Sequence, residues 1–158
     1  MTGMTAVEIR RMVPEDLDAA VDVWVRSRWD AQPWLEERMG YTDEDNLRFF
    51  REILAVRSEI WLAVEDGAVV GLLALGAGEV EQLYVDPRRQ RQGVGTALLN
   101  QAKQLRPGGI TLYTHQRNER ARAFYERRGF RAVAFGTSPA PESEPDVKYA
   151  WPVSPPAS

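Results

Sequence analysis

The sequence contains no cysteine and a single histidine, His115, among its 158 residues. The absence of thiols excludes disulfides, thiolate metal sites and an acyl-cysteine intermediate. One imidazole makes a zinc site or a serine–histidine relay a poor candidate, and we expect no metal. No apolar run approaches the roughly 20 residues of a membrane span, and no basic-then-apolar signal opens the chain. These absences predict a cytoplasmic protein that does not act at a membrane.

The chain is long enough for one well-cored domain, which we place over residues 1–158 with a frayed tail at 152–158. Charge is distributed unevenly along this chain. The net charge is −3, yet residues 88–131 hold eleven Lys/Arg against Glu119 and Glu126, which gives +9 there and −12 elsewhere. One part therefore suits an anionic ligand and the other a cationic one. Nucleic acid is not expected, because the isoelectric point is near 5.3 and no nucleic-acid motif is present.

The most informative segment runs from Val85 to Thr96, where an apolar strand leads through a basic turn and two glycines into a helix. Unpaired amides at a helix start, with no side chains at Gly93 and Gly95, form an anion site that fits a diphosphate. A dinucleotide fingerprint is disfavoured because Leu98 stands where it needs a small residue, and no Gly-Lys-Ser/Thr phosphate loop exists. An ordinary tight turn into a helix remains an alternative for this segment taken alone.

Hydrophobic spacing and turn residues predict a mixed order of strands and helices. Strands are predicted at 7–12, 60–64, 68–75, 79–85, 110–114, 130–135 and 146–151. Helices are predicted at about 14–28, 42–54, 93–105 and 118–128. An Asp66-Gly67 turn joins the second and third strands, and a proline-rich loop spans 137–145. An edge strand at 146–151 would allow a homodimer.

Two motifs occur together and in order between Glu79 and Phe130. The first is Leu83-Tyr84-Val85 with Gln90-Arg91-Gln92-Gly93-Val94-Gly95; the second is Asn118-Glu-Arg-Ala-Arg-Ala-Phe-Tyr-Glu-Arg-Arg-Gly-Phe130. Together they resemble the core of the GNAT acetyltransferase family. The resemblance implies an α/β (α+β) fold, a mixed and mainly antiparallel sheet of about seven strands flanked by about four helices. In that fold a splayed strand pair binds acyl-CoA.

The resemblance also implies which residues bind acetyl-CoA. Backbone amides of 91–96 would hold the pyrophosphate, with arginine side chains of the basic turn as charge-assisted partners. Main-chain groups near Leu83 and Val85 would pair with the pantetheine amides, and Asn118 would contact the same arm or cap its helix. The full set of cofactor-binding candidates is Leu83, Tyr84, Val85, Arg88, Gln90, Arg91, Gln92, Gly93, Val94, Gly95, Thr96, Asn118, Ala121 and Tyr125.

Amine acetylation needs a base for the ammonium proton and an acid for the leaving thiolate. Glu79 and Glu81 lie two residues apart on a strand, hence on one face, and either is a candidate base, with Glu81 slightly preferred. Solubility alone also accounts for glutamates on a half-exposed strand. Tyr125 matches the family position whose phenol lies beside the CoA sulfur. Without cysteine, direct transfer in a ternary complex is expected.

The acceptor site has to come from other parts of the chain. Aromatic Trp29, Trp34 and Tyr41, with nearby carboxylates, would favour a small cationic amine. The expected function is therefore acetyl transfer from acetyl-CoA to a primary amine. The alternatives are a peptide N-terminus or protein lysine as acceptor, or a non-catalytic acyl-CoA sensor on the same fold.

Overall fold

The computed structural model describes residues 7–90 and 92–152. Seven strands and six α-helices follow one another within these residues. The strands are β1 (Glu8–Arg11), β2 (Glu59–Glu65), β3 (Ala68–Leu75), β4 (Glu79–Val85), β5 (Ile110–His115), β6 (Arg131–Thr137) and β7 (Pro145–Trp151). The helices are α1 (Leu17–Ala31), α2 (Pro33–Met39), α3 (Asp43–Phe49), α4 (Ala55–Arg57), α5 (Val94–Leu105) and α6 (Glu119–Arg127). A π-helical turn, Phe50–Leu54, joins α3 to α4.

The seven strands form one sheet in the order β1-β2-β3-β4-β5-β7-β6, and only β4 and β5 are parallel. Those two strands pair at two positions alone, Glu79 with Thr111 and Val80 with Leu112. Beyond Val80, β4 continues to pair with β3 while β5 pairs with β7. The predicted splayed pair is therefore present, and it leaves the β5-facing edge of β4 open from Gln82 to Val85.

A separate apolar cluster packs on each face of the sheet. Leu98 and Leu99 of α5 and Tyr125 of α6 pack with Leu73 and Tyr149 on one face. On the opposite face, Trp24 of α1 and Phe50 pack with Leu62 of β2 and Leu72 of β3. Both clusters contain side chains that are fully or almost fully buried, which is the main source of stability for a sheet covered on two sides.

The structure changes two expectations about the elements. The aromatic-rich segment between the first helices contains α2, which starts with Pro33 at its first turn and ends at Gly40 in a left-handed conformation. The strand at 146–151 is not an edge, because β7 lies between β5 and β6. The edge on that side is β6, where Val133 and Phe135 are more than half exposed.

Candidate active site

A cavity of about 1450 Å³ opens where β4 and β5 separate. Its wall includes Leu83 and Tyr84 on β4 and, across the gap, Asn118 and Tyr125. It continues over the sheet face beneath α1 and α3, toward Asp146 on β7. Drug-sized ligands usually occupy about 300–1,000 Å³, so this volume has room for two ligand arms side by side.

The two glycines at the start of α5, where an anion site is predicted, have different structural roles. Gly93 has φ +83°, a conformation that other residues adopt at a cost, and a side chain there would point into open space. Gly95 instead permits close packing, because a Cβ would lie 3.2 Å from the Phe124 ring. Gly93 therefore exposes the helix start to a ligand, while Gly95 sets the distance between α5 and α6 rather than clearing space for the ligand.

The side chains of the basic turn are already engaged with carboxylates. The Asp86 carboxylate accepts hydrogen bonds from the backbone amide and the guanidinium of Arg88, and it forms an ion pair with Arg26 at 3.2 Å. Burial alone would raise the pKa of Asp86, but these contacts outweigh it and lower that pKa to about 2. Arg89 pairs with Glu65 at 3.0 Å. The predicted cofactor contact of Arg91 lies outside the described residues.

Gln90 and Thr96 are also held by protein partners. The Gln90 amide donates to Asp30 at 3.1 Å, and Arg120 donates to the same carboxylate oxygen at 2.8 Å. Arg128 donates to the Thr96 hydroxyl at 2.9 Å. Thr96 accepts this bond, so both its hydroxyl hydrogen and its backbone amide can still donate to an anion. Exposed Gln92 and buried Val94 flank Gly93, so their expected contribution is also through the backbone.

Main-chain groups on β4 and the start of α6 are placed for an extended amide-bearing arm. Ser27 donates to the Val85 carbonyl at 3.1 Å, which leaves Leu83 as the freer main-chain acceptor on the open edge. Asn118 caps α6 through its side-chain oxygen, which accepts from the Ala121 amide at 3.0 Å. The capping role of Asn118 is confirmed. Both Asn118 and Ala121 line the cavity, and their contact with a cofactor stays a prediction.

Tyr125 is 8% exposed and packs among Phe124, Phe130 and Tyr149. Within the described residues its hydroxyl has no hydrogen-bond partner, although the residue lines the cavity. Burial, with a smaller contribution from the nearby Tyr84 phenol, raises the pKa of Tyr125. A phenol that keeps its proton at neutral pH is suited to protonating a stronger base formed beside it.

A β-bulge distinguishes the two glutamates of β4. Ala74 pairs with Gln82 but Leu75 pairs with Val80, so Glu81 is the extra residue. Because a bulge interrupts alternation, the argument that Glu79 and Glu81 share a face does not hold across it. Both side chains nevertheless line the cavity.

Glu79 and Glu81 differ in their partners. The Glu81 carboxylate accepts from Arg57 at 2.6 Å and from the Ser58 hydroxyl at 3.0 Å. No described side chain donates a hydrogen bond to Glu79, and burial followed by repulsion from Glu81 raises its pKa, against smaller opposing effects of Arg57 and Lys148. A free carboxylate with a raised pKa is the better proton acceptor, so the geometry reverses the slight preference for Glu81.

The far part of the cavity has an aromatic and ionic wall that the sequence did not reveal. Arg28 is 6% exposed, pairs with Glu36 at 2.6 Å and donates to Asn46 at 3.1 Å. Its guanidinium lies 4.4 Å from the centre of the Trp24 ring. Neither Arg28 nor Asn46 was a candidate, because the partners of a buried ion pair come from separate helices and share no local motif.

The structure brings one of the three aromatic acceptor candidates to the cavity. Tyr41 lines it, and its hydroxyl donates to Glu142 at 3.2 Å. Burial, followed by the Glu142 charge, raises the pKa of Tyr41 to about 12. Trp29 is 46% exposed at the end of α1, and Trp34 packs edge-on against His115 instead of forming part of the wall. Neither Trp29 nor Trp34 is among the residues that line this cavity, and their place in an acceptor site stays a prediction.

Comparisons with known proteins agree with this geometry. The acetyltransferase (GNAT) domain family matches residues 56–132. In this region the chain carries a GNAT acetyltransferase domain. It is 26% identical to the peptidyl-lysine N-acetyltransferase YiaC of Escherichia coli over 79% of this chain and 84% of that protein. The solution structure of apo YjaB from Escherichia coli superposes with a TM-score of 0.79 and 25% identity, covering 92% of this chain and 97% of the other.

A further GNAT structure was determined with coenzyme A. This PaiA N-acetyltransferase of Thermoplasma acidophilum has a TM-score of 0.65 and 22% identity, covering 90% of this chain and 98% of the other. The likeness at that identity concerns the fold. The present chain is an N-acetyltransferase. Within its described residues, no helix has the length and apolar character needed to cross a membrane.

Proposed function

We propose that this N-acetyltransferase transfers the acetyl group of acetyl-CoA to the primary amine of a small cationic acceptor, by direct attack in a ternary complex. The observation that carries the proposal is one continuous cavity, which joins the open edge of β4 to a wall whose Glu79 and Asp146 carboxylates have no ion-pair partner among the described residues. The residues present fit acetyl-CoA, since Gly93 presents a helix start without a side chain and β4 offers unpaired main-chain groups to an extended arm.

Each chemical step has a residue suited to it. The donor supplies a thioester, and the amine nitrogen forms the new N–C bond as the C–S bond breaks. Glu79 takes one proton of the ammonium, directly or through water, before the neutral amine attacks. Tyr125 gives its proton to the departing sulfur, and the second proton that the nitrogen loses as the amide forms restores the Tyr125 phenol. The cavity holds both reactants together, so that no covalent acyl-enzyme is needed.

The charges of the wall favour a cationic acceptor. Glu79 and Asp146 have no ion-pair partner within 4 Å among the described residues, while Glu81 is already neutralised by Arg57. Trp24 and Tyr41 add aromatic faces to the same wall. A protein lysine is the second candidate, favoured by the named activity of YiaC. The third candidate is a non-catalytic acyl-CoA sensor, which the presence of Glu79 and Tyr125 in one cavity disfavours.

The test is thiol release from acetyl-CoA across a panel of cationic, neutral and acidic acceptors and a lysine peptide. We expect small cationic amines to react fastest, and Tyr125→Phe to lower kcat by at least about tenfold with nearly unchanged binding of acetyl-CoA. Tyr149→Phe is the matched control, because Tyr149 is buried beside Tyr125 but bonds Glu126 outside the cavity. Reaction with neutral or acidic acceptors alone would exclude a cationic acceptor, and release with none would favour the sensor.

A further inference from the structure

The cavity wall just before α6 holds a carboxylate and an imidazole nitrogen that have no partner among the described residues. Asp146 on β7 is the register partner of His115 on β5, and both line the cavity. Asp146 is 8% exposed, and within residues 7–90 and 92–152 no group donates a hydrogen bond to its carboxylate or lies within ion-pair distance of it. The Nδ1 atom of His115 is buried and also has no partner.

The surroundings hold these two side chains in place. Gln116 donates to the Asp146 carbonyl at 2.9 Å, which fixes the backbone of β7. On β6 the residue opposite Asp146 is Gly136, where a Cβ would lie 3.5 Å from the Asp146 carboxylate. Trp34 packs edge-on against His115, and the Arg117 guanidinium lies 4.5 Å from the centre of the Trp34 ring. The pair is therefore set in a built wall and not on a mobile surface loop.

A buried carboxylate without a partner is costly, so its retention in a cavity points to a charge that arrives with a ligand. The nearest cationic residue on the same strand, Lys148, lies 5.8 Å from the centre of the Tyr113 ring and forms no ion pair with Asp146. We propose that Asp146 and His115 form a second cation-binding site for the acceptor, which selects amines that carry a second positive charge. This inference rests on the amine acetyltransferase function proposed above.

The sheet register separates the second site from the reacting one. Glu79 is opposite Thr111 and Asp146 is opposite His115, four residues farther along β5. Four residues of a strand span about 13 Å, so one small cationic group cannot contact both carboxylates. The acceptor that fits is a flexible diamine or polyamine with several methylene groups between its nitrogens.

His115 offers a direct measure of binding, because it is the one histidine of the sequence. In an untagged protein saturated with coenzyme A, its imidazole NMR signals come from this site alone. We expect cadaverine to shift them in a saturable way and pentylamine, which has the same carbon chain but one amine, to shift them little. Asp146→Asn should abolish the difference between the two ligands. Equal shifts by both amines, or an unchanged response of Asp146→Asn, would overturn the inference.

Kinetics gives a second readout of the same site. In the wild type, kcat/KM for cadaverine should exceed that for pentylamine by at least about tenfold, and Asp146→Asn should bring the ratio within about threefold. Asp66→Asn is the matched control, since Asp66 lies exposed in the turn between β2 and β3, where asparagine also tolerates the positive φ of 51°. This control should keep the wild-type ratio.

Stability separates ligand recognition from a structural role. If the Asp146 carboxylate awaits a ligand, Asp146→Asn should leave the Tm of the free protein unchanged or raise it, because a buried unpaired charge is removed. A lowered Tm would show a structural role and overturn the inference. Failure of the wild type to acetylate either amine would refute the proposed function, whereas acetylation of both at equal rates would refute the second site alone.

Discussion

Glu79 and Glu81 show how far the behaviour of one residue type depends on its immediate contacts. They stand two positions apart on β4, but Glu81 is bonded to Arg57 and Ser58 while Glu79 has no donor among the described side chains. Burial and the charge of Glu81 raise the pKa of Glu79. The proposed choice of Glu79 over Glu81 as the proton acceptor therefore rests on a bulge and on one arginine from α4.

The pH dependence of the reaction tests this assignment. A base acts in its deprotonated form, so the rate should fall as the pH drops through the pKa of Glu79, which burial and the Glu81 charge raise above its ordinary value. Glu79→Gln should lower kcat by about 100-fold and remove this acid limb. Glu81→Gln should move the acid limb to lower pH, because the charge that repels Glu79 is lost. Measured pH profiles of kcat/KM check both variants. A wild-type profile for Glu79→Gln would contradict the assignment.

At the scale of elements, the start of α5, where the anion site is predicted, packs against Phe124 of α6. The contact depends on Gly95, whose missing Cβ lets the Phe124 ring approach. Arg128 covers the other side of that ring, with its guanidinium 3.8 Å from the ring centre, and bonds Thr96. The segment around Gly95, which resembles a ligand-binding loop in sequence, therefore also allows α5 and α6 to pack closely.

Gly95→Ala measures that packing. The added methyl group forces the Phe124 ring to shift, while alanine recovers up to about 1 kcal/mol of helix propensity, so we expect a net loss of about 1–2 kcal/mol in the free energy of unfolding. Gly78→Ala is the control, since a Cβ there meets nothing within 4 Å, and it should stay within about 0.5 kcal/mol of wild type. Urea unfolding gives both values. Equal stabilities of the two variants would show that Gly95 is not needed for helix packing.

At the scale of the whole molecule, the helices over one sheet face are joined by a buried ionic network. Arg28 of α1 bonds Glu36 of α2 and Asn46 of α3, and Gln32 donates to Glu36 at 2.9 Å. The side chains of Arg28 and Glu36 are 7% and 2% exposed. These bonds connect three helices beside the cavity, so they hold that part of its wall in place as well as joining the helices to one another.

Breaking this pair should destabilise the molecule as a whole. Glu36→Gln leaves the buried Arg28 charge without its counter-ion, and we expect a loss of about 3 kcal/mol or more in the free energy of unfolding. The control is Glu44→Gln in the exposed Arg48–Glu44 pair, which should change stability by less than about 0.5 kcal/mol. Denaturant titration followed by tryptophan fluorescence measures both. A small effect of Glu36→Gln would show that the network contributes little to stability.

The sequence by itself determined the family, the order of most elements and the loop that starts α5. These follow from local features, namely hydrophobic spacing, glycines at a strand-to-helix turn and the Asn118 cap, because such features depend on residues close in the chain. It did not show α2, since a seven-residue helix leaves too short a pattern between aromatic residues.

The tertiary structure alone decided which residues meet in the cavity. The Glu81 bulge arises from the register between β3 and β4, and the edge position of β6 from the order of the sheet. The Arg28–Glu36 pair and the meeting of Asp146 with His115 join residues on separate elements. No local spacing encodes such contacts, because their free energy comes from the burial and pairing of groups that meet only in the folded chain.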